Sequence, residues 1–312
     1  MPIPLILDCD PGVDDAVALF LAFASPEELE LIAVTTTAGN VEAALTARNA
    51  RLIRQIAGRA EVPVHAGCPR PLVRAPIEAD HFHGESGLGR LPVFEPDAPL
   101  APGHAVNAIV EAVMSRPAGT VTVAVTGPMT NLACAIVLEP RVAARLARVA
   151  VMGGARSEGG NITASAEYNI FADPHAAQVV YASGVEVVTF GLDVTHQVRA
   201  TPARVAALRA LATPAALATA QLLDFANEVQ QRHVGDVHSP LHDPCPIAWL
   251  IRPQLFVDRP CRIEVETASP LTLGHTAVEF RLRGVAPANA RWVTEADADG
   301  VFALLTERLA RP

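Results

Sequence analysis

Short apolar, β-branched runs alternate along the chain with longer segments rich in Ala, Leu and Arg that repeat with helical period. The pattern predicts strands at Pro2 to Leu7, Leu29 to Thr35, Thr120 to Thr126, Val149 to Met152 and Glu186 to Gly191. Between them it predicts helices at Asp14 to Ala24, Glu42 to Ala57, Leu132 to Leu146 and Pro174 to Ser183. Strands separated by helices of this length make βαβ units, hence a mostly parallel open sheet covered by helices on both faces. The last third reads differently, with helices at Pro202 to about Gln231 and Pro246 to Ile251, strands at Cys261 to Glu266 and Ala277 to Leu282, and a closing helix from Asp297 to Leu309. No repeat, linker or shift of composition divides the chain, so a single α/β domain over residues 1–312 is expected, with a Rossmann-like core and a helical C-terminal region. Residues Pro69 to Pro102 are rich in Pro, Gly and His, a composition expected of a loop lining a site.

Composition narrows the chemistry. A formal charge of -9 disfavours attraction to nucleic acid or an anionic membrane, and a small neutral or cationic ligand fits better. No apolar run is long enough to span a bilayer, and the first ten residues lack a basic leader, so a cytoplasmic location is expected. The five cysteines are widely spaced with no C-x-x-C pair, which argues against a disulfide framework or a structural zinc site and for reduced core thiols. All 24 basic residues are arginine. Schiff-base catalysis, a Walker-A phosphate loop and the protein-kinase lysine all require the side chain that is missing.

The densest chemistry lies in LILDCDPGVDDAVAL, where Asp8, Asp10, Asp14 and Asp15 fall within eight residues spanning a strand end, a Pro-Gly turn and a helix start. Ligands bind at the carboxyl ends of parallel strands. Helix capping and dipole effects account for one or two of these acids, at about 1 kcal/mol, but not for four. Two carboxylates about 4 Å apart repel by about 4 kcal/mol at an effective dielectric near 20, so converging acids must share protons or hold a cation. An all-oxygen set points to Ca²⁺ or Mg²⁺, and the flexible, higher coordination of Ca²⁺ suits a site that also accepts hydroxyl groups. His81 and His83 form an H-x-H pair, which on its own does not make a metal site. The Gly153-Gly154 and Gly159-Gly160 pairs have the wrong spacing for a dinucleotide loop.

DCDPGVDDA, Asp8 to Ala16, closely resembles the D-x-D-P-G-x-D-D-A signature of the nucleoside hydrolases, whose members include inosine-uridine and pyrimidine-preferring ribonucleoside hydrolases. Further blocks follow in that family's order: TTTAGN from Thr35, HGESGLG from His83, VTGPMTNLA from Val125, MGGA from Met152, GNITASAEYNIFADPHAA from Gly160, LDVTH from Leu192 and LHDP from Leu241. The first motif also resembles the D-x-D of dehalogenase-type phosphatases, but those use a lysine that this chain lacks. A non-catalytic Ca²⁺-dependent nucleoside-binding protein is the other alternative, marked by loss of the base or a metal ligand, whereas Asp10, Asp15 and Asp243 are all present.

The resemblance implies a Ca²⁺-dependent hydrolase that cleaves the N-glycosidic bond of ribonucleosides with water, acting as a homodimer or homotetramer. It implies that Asp10, Asp15, Asp243 and the Thr126 carbonyl bind the ion, with Asp10 also taking the proton of the attacking water. Asp14, Asn40, Asn161, Glu167 and Asn169 would clamp the ribose, and Met152 would pack against the sugar. His83 and His242 would line the base pocket, His242 assisting departure of the base. The helix before LHDP carries Ala226, Val229 and Gln230 where aromatics are frequent in the family, and Gln230 with His233 is more similar to the pyrimidine-preferring members, Tyr168 being a partial substitute for the missing rings. This inventory suits an oxocarbenium-like transition state, which nearby negative charge and hydrogen bonds to ring hydroxyls stabilise.

Overall fold

The computed structural model describes residues 1–77, 79–282 and 287–311. Its strands are β1 (Ile3–Cys9), β2 (Leu29–Thr36), β3 (Val64–Ala66), β4 (Thr122–Val125), β5 (Arg148–Met152), β6 (Val187–Phe190), β7 (Phe256–Val265), β8 (Thr276–Glu279) and β9 (Ala290–Ala296). The first helices are α1 (Val13–Phe23), α2 (Ala43–Ile56), α3 (Asp80–His83), α4 (Ala105–Ser115), α5 (Thr130–Leu138), α6 (Arg141–Arg145) and α7 (Tyr168–Ala172). There follow α8 (Pro174–Ala182), α9 (Leu192–Thr195), α10 (Pro202–Ala210), α11 (Pro214–Val234), α12 (Pro244–Ile251) and α13 (Ala298–Leu309).

The strands form one sheet in the order β3-β2-β1-β4-β5-β6-β9-β7-β8. From β3 to β6, and on to β9, neighbours run parallel. β7 then pairs antiparallel with both β9 and β8, so the C-terminal region contributes strands as well as helices. All four residues of β4 and of β6 are buried, as expected of strands covered on both faces. Alternation along β1 sends Leu5 and Leu7 into a core shared with α1, α11, α12 and α13, and Ile6 into a second core shared with α4, α5 and α8.

Several boundaries differ from the sequence expectation, for local reasons. The helix expected from Pro202 to Gln231 is two, because Thr213 caps a new helix whose first residue is Pro214. The helix expected from Leu132 to Leu146 stops at Leu138, ahead of Pro140, and resumes as α6. α4, the three-residue β3 and the short α3, α7 and α9 were not expected at all. Nor was β9, where Arg291, Trp292 and Val293 slot between β6 and β7. Among the described residues no helix is long and apolar enough to cross a membrane.

Candidate active site

Strand order reverses between β1 and β4, whose carboxyl ends lie side by side through Asp8 and Val125. Connections leaving such a switch point diverge and open a crevice. Asp10, Pro11 and Gly12 leave β1 there, and α1 begins at once with Asp14 and Asp15 in its first turn. Thr126 follows β4, and Asp243 arrives from far along the chain at the start of α12.

Asp14, Asp15 and Asp243 each offer a carboxylate oxygen, all within 4.8 Å of one another. Asp15 is fully buried; its Oδ2 accepts from Gly12 N–H at 3.0 Å and from Asn40 Nδ2 at 3.0 Å, and its Oδ1 accepts from the Thr126 hydroxyl at 2.8 Å. Asp10 stands outside this closest trio but is tied to it by Asn40, whose backbone N–H donates to Asp10 Oδ2 at 2.7 Å. The other oxygen, Asp10 Oδ1, is buried with no hydrogen-bond partner among the described residues. A Cβ on Gly39 or on Gly127 would run into the Asp10 carboxylate, so only glycine permits the main chain to hold it from both sides.

Burial is the first cause of a raised pKa at each acid. Asp15 is pushed up to about 6, the neighbouring Asp14 carboxylate adding to the effect. Asp10 is pushed well above the usual range by burial and then by Asp15, and Asp243 by burial and then by Asp14 and Asp15. Asp8, which accepts from Thr35 and Asn131, also rises to about 6 by burial. An oxygen-only donor set at this density, with Asp10 Oδ1 and Asp8 Oδ2 both buried without a hydrogen-bond partner among the described residues, fits a divalent cation. The Thr126 carbonyl accepts from Asn169 Nδ2 at 2.8 Å.

A stability test follows for protein stripped of cations by a chelator. Asp8 and Asp15 rise from 3.8 to about 6, so the folded chain holds more protons than the unfolded chain in that window. The stabilisation is complete below the lower value and is lost as pH rises through the upper one. Stripped protein should therefore melt at a lower temperature at pH 7 than at pH 4.5, and an added divalent cation should raise Tm more at pH 7, where protons no longer compete. Melting curves in which stripped protein gains stability over this range would contradict the picture.

Asp14 and Asp243 border a cavity of about 350 Å³. It is lined by Asp14, Asn40, His83, Met152, Asn161, Glu167, Asn169 and Gln230, together with Thr126, His242 and Asp243. Every residue expected to touch substrate is thus brought to one cavity, while Asp10 and Asp15 are fully buried and do not line it. Within the clamp, Glu167 caps α7: its Oε1 accepts from Asn169 N–H at 2.8 Å and its Oε2 from Gly154 N–H at 2.9 Å and Ile170 N–H at 3.1 Å. Asn161 Oδ1 accepts from Tyr168 N–H at 2.8 Å. The Tyr168 hydroxyl donates to the carbonyls of Gly39 and Ile77.

Both histidines are oriented. His83 Nδ1 accepts from Val13 N–H at 3.0 Å, which places the ring hydrogen of the neutral form on Nε2. His242 Nδ1 lies 2.8 Å from the Thr195 hydroxyl. Burial, followed by the facing His196, Arg199 and His83, lowers the His242 pKa to about 3, so its ring is neutral at pH 7. The side chain of His81 lies outside the described residues.

Thr195 and the apolar wall of Phe82, Ile162, Leu223 and Val234 were not singled out from the sequence. Thr195 sits in the LDVTH block, which was its available signal; the wall carries none, since apolar cavity residues have the composition of core.

The sequence profile described as inosine-uridine preferring nucleoside hydrolase matches residues 5–303. The chain is 40% identical to an inosine-uridine preferring nucleoside hydrolase of Leishmania major, over 100% of this chain and 98% of that one. It is 42% identical to a pyrimidine-specific ribonucleoside hydrolase of Salmonella gallinarum, over 99% of each chain. Among solved structures it is similar to a plant nucleoside hydrolase, with a TM-score of 0.93 at 29% identity over 100% of both chains. A purine-preferring ribonucleoside hydrolase from Gardnerella vaginalis gives a TM-score of 0.92 at 30% identity over 98% of both.

Proposed function

The chain belongs to the inosine-uridine preferring nucleoside hydrolase family and is a ribonucleoside hydrolase, and from this premise we propose that it works with one Ca²⁺ held by Asp10, Asp15, Asp243 and the Thr126 carbonyl. The observation that carries the reading is the orphaned Asp10 Oδ1 beside three converging carboxylates at a cavity lined by the whole expected ribose clamp.

When bound, the cation supplies positive charge that acidifies a water and grips vicinal hydroxyls. The protein's own groups do the rest. Asp10 accepts the water's proton on Oδ1, while the Asn40 N–H keeps Oδ2 in place. Asp14, Asn161, Glu167 and Asn169 fix the ribose, so that water and C1′ meet in line. The carboxylates stabilise the cationic charge that develops on the sugar as the base departs. Met152 packs on the sugar, and His83 Nε2–H and His242 face the leaving base. Gln230, which offers a donor and an acceptor side by side, matches the carbonyl and N–H edge of a pyrimidine.

The test is a substrate panel of uridine, cytidine, inosine and adenosine beside p-nitrophenyl riboside, in phosphate-free buffer. Free ribose and free base are expected, with higher kcat/KM for uridine and cytidine than for the purine nucleosides. Absence of free ribose from every substrate would sink the assignment, and faster purine cleavage would remove the pyrimidine preference alone.

A further inference from the structure

All five cysteines are free thiols, and Cys134 on α5 is the one among them that is not buried. Its sulfur lies 3.9 Å from that of Cys68, which follows β3. Neither residue lines the cavity, yet Cys68 is laced to the segment that holds Asp10. Its N–H donates to Asn131 Oδ1 at 2.8 Å, and its carbonyl accepts from Ala38 N–H at 3.0 Å and from the Thr37 hydroxyl at 3.1 Å. Gly39 and Asn40 come next, and Asn40 N–H grips Asp10 Oδ2 at 2.7 Å.

There is little slack in this lacing. A Cβ on Gly67 would collide with the Asn131 amide and the Thr36 carbonyl, so the chain entering Cys68 is already at closest approach. A disulfide holds its sulfurs about 2.05 Å apart, so the two sulfurs must approach by roughly 2 Å, and the part of that approach not supplied by side-chain rotation falls on the Cys68 segment and α5. We propose that Cys68 and Cys134 form a reversible disulfide whose closure shifts the 37–40 segment and thereby slows hydrolysis by misplacing Asp10.

The two thiols have unequal roles. The hydrogen bond from Cys68 lowers the Cys134 pKa to about 7, which together with its partial exposure makes Cys134 the attacking group. The oxidant is a low-molecular-weight disulfide, RSSR. The Cys134 thiolate attacks one of its sulfurs, forming a Cys134–S–S–R mixed disulfide and expelling RS⁻, which takes up the proton that Cys134 released. The Cys68 thiol then loses its proton, and its sulfur attacks Cys134 Sγ and expels a second thiolate, which takes up that proton. Two protein thiols are oxidised and one RSSR becomes two RSH.

The experiment incubates the full chain with oxidised glutathione, blocks remaining thiols with N-ethylmaleimide, and maps peptides by mass spectrometry while nucleoside hydrolysis is followed. A Cys68–Cys134 linked peptide is expected, with kcat reduced by about tenfold, the scale of disturbing groups that orient a metal ligand, and restored by dithiothreitol. Cys134→Ser and Cys134→Ala should keep the untreated rate and be insensitive to oxidised glutathione. A glutathione adduct on Cys134 with no link to Cys68, a linked peptide at unchanged kcat, or equal sensitivity of either variant would overturn the proposal. The linked peptide is read by mass, so its absence does not depend on which nucleoside the enzyme prefers.

Discussion

Replacing Asp10 by asparagine is expected to lower kcat on ribonucleosides by about 10² to 10⁴ while nucleoside binding persists. Asparagine is nearly the same size and keeps an oxygen that can accept from the Asn40 N–H, as Asp10 Oδ2 does at 2.7 Å. It cannot take up a proton as the orphaned Oδ1 can. Because Gly39 and Gly127 crowd the carboxylate from both sides, the new amide has no room to swing away. The loss should therefore fall on kcat rather than on KM. An Asp10→Asn enzyme that turns over near the wild-type rate would remove Asp10 from the role of base.

The second large effect concerns the leaving group. On uridine, His242→Ala should cost about 10² in kcat, the scale of deleting one donor to developing negative charge. On p-nitrophenyl riboside, whose phenolate departs unaided, it should cost far less. The buried ring is neutral at pH 7, its pKa lowered to about 3, so the group it offers is the N–H of a neutral imidazole. In the proposed role the Thr195 hydroxyl donates to Nδ1, which leaves the ring hydrogen on Nε2 to serve the base. Protonation of His242 should leave no inflection in kcat between pH 5 and 8. Equal losses on both substrates, or a fall in calcium content, would show that His242 orients its neighbour Asp243 instead.

What the sequence made legible depends on how local each signal is. DCDPGVDDA marks a strand end, a turn and a helix start within nine residues, and the structure ends β1 at Cys9 and begins α1 at Val13. Asp243 carries no such local mark. Resemblance of the LHDP block was needed to place it beside Asp14 and Asp15, from which more than 200 residues separate it. The residues expected to clamp the ribose rest on the same resemblance, but the capping by Glu167 of α7 does not follow from it, because a cap can be read only once the helix it begins is known. β9 escaped since its core contribution is Trp292 and Val293 among charged neighbours, and its place between β6 and β7 is set by non-local pairing. The Cys68–Cys134 approach has no sequence signature either, since the two thiols are 66 positions apart.

The most direct measurement is calcium add-back. The chain is freed of divalent ions with a chelator, and uridine hydrolysis is followed as Ca²⁺ is titrated in beside elemental analysis of the bound metal. The buried Asp10, Asp15 and Asp243, with Asp14 beside them and the Asp10 Oδ1 left without a partner, predict loss of activity on stripping, and recovery that saturates at one Ca²⁺ per chain. Asp243→Ala should bind no calcium and should not recover. Full activity in the stripped enzyme, or recovery without retained calcium, would contradict the account.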